Sequence, residues 1–200
     1  MTGTSMLSTE SFELSPEAYA KVRPEWRARA IGLRQTRRVQ LGPMVSLEFE
    51  NADTLHYQAQ EMLYVERVTD PVAAAAEIAV YERLLPTPTT LTATLFVEID
   101  DPGRIRAELE RLDGLHESVR LEVEGLACRA RDIPPPDEGP TKRTVSVHFL
   151  GFDLTPEVLS ALRQGFPARL VIDHPEYPVD VDLDPALVQA LVRDTGSTEV

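Results

Sequence analysis

The chain reads as short apolar patterns separated by frequent helix-start and turn signals. Ser15-Pro16-Glu17 gives an N-cap, a proline at the first helical position and an acid in the first turn. A short helix is therefore expected from Pro16. Pro24 is expected to restart it, because the residue before a proline avoids helical backbone angles. The second helix runs over 24–37 with an apolar stripe of Val22, Trp26, Ala30 and Leu33. Segments 39–41 and 44–50 flank Gly42-Pro43, which predicts a hairpin or tight turn. Asn51 leads into a helix expected over 53–68, and Asp70-Pro71 caps a further helix of high intrinsic propensity, VAAAAEIAVYERLL.

The second half alternates strands with capped helices. Strands are expected at 91–99, 119–123, 126–131, 144–152, 170–173 and 179–183. Their Val and Thr content suits a pleated, half-buried surface. Asp101-Pro102, Thr155-Pro156 and Asp184-Pro185 each start a helix. PPPDEGP, within 133–142, is a loop. Hairpin-length links between strands predict an α+β fold: a mixed, largely antiparallel sheet with helices packed on it and an N-terminal helical part. The expected layout is a flexible tail at 1–14 and one domain at 15–195. Within that domain, 15–85 is mainly helical with a hairpin and 90–195 is sheet-rich. A Gly-rich first turn and regular βαβ alternation are both missing, which argues against a dinucleotide-binding fold.

Composition narrows the class. Two hundred residues with 42% hydrophobic content suit one domain with a real core. No run of about 18 apolar residues is present, so no membrane span is expected. The N-terminal segment lacks a basic start and apolar run, and Cys128 is the only cysteine. These features together predict a cytoplasmic protein. The net charge of −13 repels phosphate backbones and argues against nucleic acid as a partner. Charge is also segregated. Residues 1–38 hold 7 Lys+Arg against 4 Asp+Glu, net +3, and the rest of the chain is net −16. The economical use of the basic segment is to meet the acidic one.

Candidate chemistry gathers on the helix after Asn51. Leu55, Ala59, Met62 and Glu66 share one face, and Thr54, Gln58, Glu61 and Val65 form the adjacent line. A carboxylate ending an apolar stripe must be paired, hydrogen-bonded or at the rim. Glu61 or Glu66 is expected to contact an arginine among Arg27, Arg34, Arg37 and Arg38 of the preceding segment. Arg23, Arg27, Arg34 and Arg38 form a candidate anion-binding or salt-bridge face. His116 is expected in an exposed turn. His148 and His174 sit in strands, where they are hydrogen-bonded or, with a glutamate, part of a two-histidine, one-carboxylate site. The candidate polar site is thus Gln58, Glu61, Glu66, His148 and His174. No metal site is assigned, and any cofactor and the oligomeric state are left open.

FENADTLHYQAQEMLYVER resembles the signature of a bacterial family known as domain of unknown function 3501. LSPEAYAKVRPEWRARAIGLRQTRRVQLGP, LTATLFVEI, SVHFLGFDL and VIDHPEYP fit the same pattern, and together they span about 15–194. The resemblance implies that members often carry His at the position of Gln60. It also implies proximity to iron–sulfur and rubrerythrin-like proteins, hence a link to redox or oxidative-stress systems. The functional expectation is an accessory or binding protein acting through the surface of the arginine helix and the Gln/Glu helix, with a protein partner. The alternative is a metal-dependent or acid–base enzyme using Glu61, Glu66, His148 and His174.

Overall fold

The computed structural model describes residues 7–134 and 143–196. The expected loop PPPDEGP and the first six residues of the expected tail lie largely or wholly outside them. The fold is α+β, with six α-helices and eight strands among the described residues. These form two compact units, 7–36 with 50–85 and 37–49 with 86–196.

The helical unit contains a 3-10 turn at Thr9–Ser11, α1 (Pro16–Arg37, whose last residue opens the other unit), α2 (Ala52–Val65) and α3 (Pro71–Glu82). Helix α1 runs unbroken through Pro24, contrary to the expected restart. The amide that Pro24 lacks would have bonded the carbonyl of Ala20, and Ala20 is exposed. Water can serve that carbonyl, so the proline is tolerated. Leu7 and Phe12, in the segment expected as a tail, are buried.

Helix α2 starts in a reciprocal cap. Asn51 Oδ1 accepts from Thr54 N, and Thr54 Oγ1 accepts from Asn51 N, each at 2.9 Å. The helix ends at Val65 because Arg67 adopts a left-handed φ of 55°. Val68 N then donates to Leu63 O at 2.9 Å and Arg67 N to Tyr64 O at 3.3 Å, the paired bonds of a Schellman cap. Helix α3 is capped by Asp70, whose side chain accepts from Ala73 N. It buries Ala74, Ile78 and Tyr81, one face at helical spacing.

The other unit is one antiparallel sheet. Its strands are β1 (Arg38–Gln40), β2 (Val45–Phe49), β3 (Thr90–Val97), β4 (Val119–Val123), β5 (Leu126–Asp132), β6 (Val147–Asp153), β7 (Ala168–His174) and β8 (Tyr177–Asp182). The order is β1-β2-β3-β6-β5-β4-β7-β8. The β1–β2 hairpin, expected with the helical part, belongs here because β2 pairs with β3 along its whole length, Val45 with Val97 through Phe49 with Ala93. Period-two alternation puts Leu91, Ala93, Leu95 and Val97 of β3 into one apolar cluster, with Leu121 of β4, Phe152 of β6 and Leu170 of β7. Three helices complete the unit: α4 (Ile105–Arg111), α5 (Pro156–Arg163) and α6 (Pro185–Asp194). Residues 102–104 form a turn, so α4 starts later than the proline signal predicts. Val158 and Leu162 of α5 and Leu187 and Leu191 of α6 join the same core.

The ends of the strand order are tied together. Tyr177 at the start of β8 donates its hydroxyl proton to Leu41 O at 2.8 Å and accepts from Met44 N at 2.9 Å, in the β1–β2 turn. Gly42 in that turn has φ +76°, and a Cβ there would lie 2.7 Å from the tyrosine oxygen. Backbone angle and close approach both demand glycine. The sheet therefore curls until its two edge strands meet at this end, which protects edges that would otherwise invite pairing. The outer surface of β4, β7 and β8 is a charge lattice. Arg120 bridges Asp173 at 2.5 Å and Glu122 at 2.6 Å, and Arg169 bridges Glu122 at 2.6 Å and Asp180 at 2.9 Å.

Tyr177→Phe tests the tie. It leaves a buried carbonyl and a backbone amide without their partner, so stability should fall by about 1–3 kcal/mol in denaturant unfolding. An unchanged unfolding midpoint would show that the tie is incidental.

Candidate functional site

Four contacts fix how α1 and α2 meet. Tyr19 lies edge-on to Tyr64 with ring centroids 5.4 Å apart. Arg23 forms a fork on Glu61, Nε to Oε1 at 2.9 Å and Nη2 to Oε2 at 2.7 Å. Trp26 stacks on His56 at 5.1 Å, and Arg29 reaches Asp53 at 3.0 Å. Partner numbers fall along α2 as they rise along α1, so the helices run antiparallel. Side chains that are long, aromatic or charged make the contact.

Glu61 is the centre of this contact. It also accepts the Tyr19 hydroxyl at 2.9 Å. Arg23, helped by Tyr19, holds the Glu61 carboxyl below the usual range although burial opposes it. Burial and the bonded Glu61 push the Tyr19 hydroxyl well above its ordinary value. Glu61 thus meets an arginine of the preceding helix, as expected, but that arginine is Arg23, one turn before the expected set. Tyr19, which no sequence signal singled out, completes the arrangement.

The other polar residues of α2 are also engaged within the unit. Gln58 Nε2 donates to both oxygens of the buried Glu50, at 2.9 and 3.0 Å, and Thr54 Oγ1 donates to Glu50 Oε2 at 2.5 Å. Gln60 is buried and clasps the backbone of residue 13, accepting from its amide and donating to its carbonyl at 2.9 Å each. His56 lies between Phe12 and Trp26, with near-parallel rings 4.2 and 5.1 Å away. Its Nε2 is 3.1 Å from Ser11 O, so that nitrogen carries the proton. Burial lowers its pKa and keeps the ring neutral.

Glu66, expected at the end of an apolar stripe, is exposed. The Schellman cap ends the helix before that stripe completes, and Leu63 takes the inward position instead. Glu66 still acts at a distance. Burial raises the carboxyl of Glu77, with Glu66 adding to it, and the Tyr81 hydroxyl is pushed up to about 12 by burial and then by Glu77, Glu66 and Glu50.

The arginine face divides. Arg38 lies in β1, not on α1, and bonds Ser46 at 2.8 Å and Glu98 at 2.7 Å. Arg37 forms a fork on Asp194 at 2.8 and 3.0 Å. Arg23, Arg27 and Arg34 remain on one line of α1. Alongside them the Tyr57 hydroxyl is raised, by burial first and Glu61 second, with all three arginines opposing. Arg27 and the neighbouring Ile31 are exposed.

The other three histidines, His116, His148 and His174, belong to the sheet unit. His148 Nε2 accepts from Val145 N at 2.9 Å, and Nδ1 lies 3.7 Å from Asp132. Its ring stacks on that of His116 at 4.1 Å, within 7° of parallel. His116 is buried rather than in an exposed turn. The 3-10 turn Leu115–Ser118 carries it inward beside Leu115. His174 Nε2 donates to Asp113 O at 2.9 Å and its Nδ1 accepts from Glu176 N at 3.2 Å, so both ring nitrogens are bonded. Strands β5 and β4 separate β6 from β7, so His148 and His174 are not neighbours in the sheet. Among the described residues, no three His, Cys, Asp or Glu side chains are placed to hold a metal ion.

Burial, then His116, lowers the His148 pKa to about 4. The unfolded chain protonates this ring near its ordinary value of about 6.5. Its contribution to stability is therefore complete above that pH and is lost as pH falls toward 4. Wild type should lose stability between pH 6.5 and 4.5, before Glu61 is protonated, and His148→Gln should flatten that slope. An equal slope in both proteins, by urea unfolding across this range, would remove His148 as its source.

The comparisons agree with this architecture. The crystal structure of a protein of unknown function from Burkholderia pseudomallei K96243 is 34% identical, with a TM-score of 0.88, over 94% of this chain and 98% of that one. No curated protein matches. A family model described as protein of unknown function (DUF3501) matches residues 9–195, and the chain belongs to that family.

Proposed function

We infer that this is a binding or accessory protein that engages an acidic protein partner through the flank of α1 bearing Arg27, Ile31 and Arg34. One observation carries the reading. Along the line Arg23–Arg27–Arg34, Arg23 is held by Glu61, whereas Arg27 and Ile31 stand in solvent, Ile31 at 50% exposure. An apolar side chain between guanidinium groups is the composition of an interface anchor, where arginine is enriched and acidic residues are depleted.

The polar residues of α2 support it by serving structure. Glu61 and Gln60 fasten α1 and residue 13, and Gln58 satisfies Glu50. His148 and His174 are hydrogen-bonded in the sheet unit, and no observation favours the metal-dependent or acid–base alternative. The chain's charge of −13 weighs against nucleic acid. Among the described residues no helix is long and apolar enough to cross a membrane. A cytoplasmic setting is consistent with that. The redox association gains no residue here. Cys128 is buried and its thiol is pushed up by desolvation, the opposite of a reactive cysteine.

Proximity labelling in cells with wild type and an Arg27→Glu/Ile31→Asp variant tests the proposal. Both positions are exposed, so the thermal midpoint should move by no more than about 2 °C. Acidic neighbours labelled by wild type should disappear from the variant. The same neighbours at the same intensity in both would refute the assignment of this flank.

A further inference from the structure

A cavity of about 400 Å³ lies at the C-terminal end of α5 and along α6 in the sheet unit. Leu162, Leu183, Val188 and Val192 supply its apolar lining, and all but Val192 are buried. Phe166 stands at 38% exposure, and Arg163 and Arg193 are both exposed. The size falls in the range of small-molecule sites, roughly 300–1,000 Å³.

The charge of the lining is selective. None of the lining residues is Asp or Glu, in a chain carrying 33 of them, and two are arginines. Neither arginine makes an ion pair or donates a hydrogen bond among the described residues; Arg193 acts only through space, opposing the rise that burial gives the Asp194 carboxyl. Arg163 and Arg193 each sit in the last turn of a helix, where a cation offsets the dipole. That explains the choice of a basic residue but not the apolar cavity between them or the lack of an acid in its lining. On the outer surface of β4, β7 and β8, by contrast, Arg120 and Arg169 are matched by acids.

We propose that this cavity binds a small amphiphilic carboxylate, its apolar body against Leu162, Val188 and Val192 and its head group between Arg163 and Arg193. Planar guanidinium groups suit a carboxylate head. The net negative charge of the chain makes a locally cationic cavity the place where an anion gains most over bulk surface.

Octanoate is the probe, with octanamide as its neutral counterpart and inorganic phosphate as an anion without an apolar body. Each is titrated into the full chain and followed by amide chemical shifts. Octanoate should move the Gly165, Val188 and Val192 amides in a saturable way. Octanamide and phosphate should bind at least tenfold more weakly. Arg163→Gln/Arg193→Gln changes exposed side chains only, so its spectrum should stay folded, and it should bind octanoate at least tenfold more weakly than wild type. Equal affinity for octanoate and octanamide would reduce the cavity to an apolar crevice. Equal affinity for octanoate and phosphate would reduce it to a surface anion site. Absence of saturable shifts at those amides would reject it. Any of these three results overturns the proposal.

Discussion

Helix α1 buries few of its own residues. Along its 22 positions the fully buried side chains are Tyr19, Ala30 and Arg37. Apolar burial at about 25 cal/mol per Å² cannot hold so polar a helix by itself. The Arg23–Glu61–Tyr19 cluster supplies the missing specificity. A forked, charge-assisted bond has a narrow geometry, so it sets the register of α1 against α2 as well as attracting it. Its side chains are 34% and 20% exposed, between the surface limit of about 1 kcal/mol or less and the buried limit of about 3–5 kcal/mol for breaking a pair.

Much else in the helical unit follows from that register. With Glu61 opposite Arg23, the antiparallel direction places Trp26 over His56, and Phe12 closes the other side of the imidazole. Gln60, one residue before Glu61, then reaches the backbone of residue 13. The rotation that turns Arg23 inward leaves Arg27 and Ile31 at the edge, which is why the proposed partner surface lies there. Residues that look like site chemistry in α2 therefore serve as fasteners. The partner surface proposed above is on the helix they fasten.

The elements were largely legible because their signals are local. Strand β4 matches its expected span, and Asp70-Pro71, Thr155-Pro156 and Asp184-Pro185 each open a helix. Glu124 and Gly125, both with positive φ, make the tight turn expected between β4 and β5. What the sequence hid depended on tertiary placement. Pro24 is tolerated because the carbonyl it leaves without a donor belongs to the exposed Ala20, which no local rule reveals. Glu66 left the apolar stripe because Arg67 adopts a left-handed angle usually reserved for glycine. His116 lies in a polar stretch, and its stacking on His148 comes from the tertiary fold. Arg38 follows helical spacing in sequence, but the chain has already become a strand. The general idea that the arginine segment meets in-chain acids was readable from charge segregation. The individual pairs required the fold.

Amide hydrogen exchange on wild type and Glu61→Gln tests most directly whether Glu61 seats α1. The substituted side chain keeps the shape and can still accept from Tyr19, but it loses the charge that Arg23 grips. The account predicts that amides across 20–34 exchange at least tenfold faster in the variant, about 1.4 kcal/mol of local stability, while those of β3 and β6 are unchanged. Unaltered protection across α1 would contradict it and place the hold on this helix elsewhere.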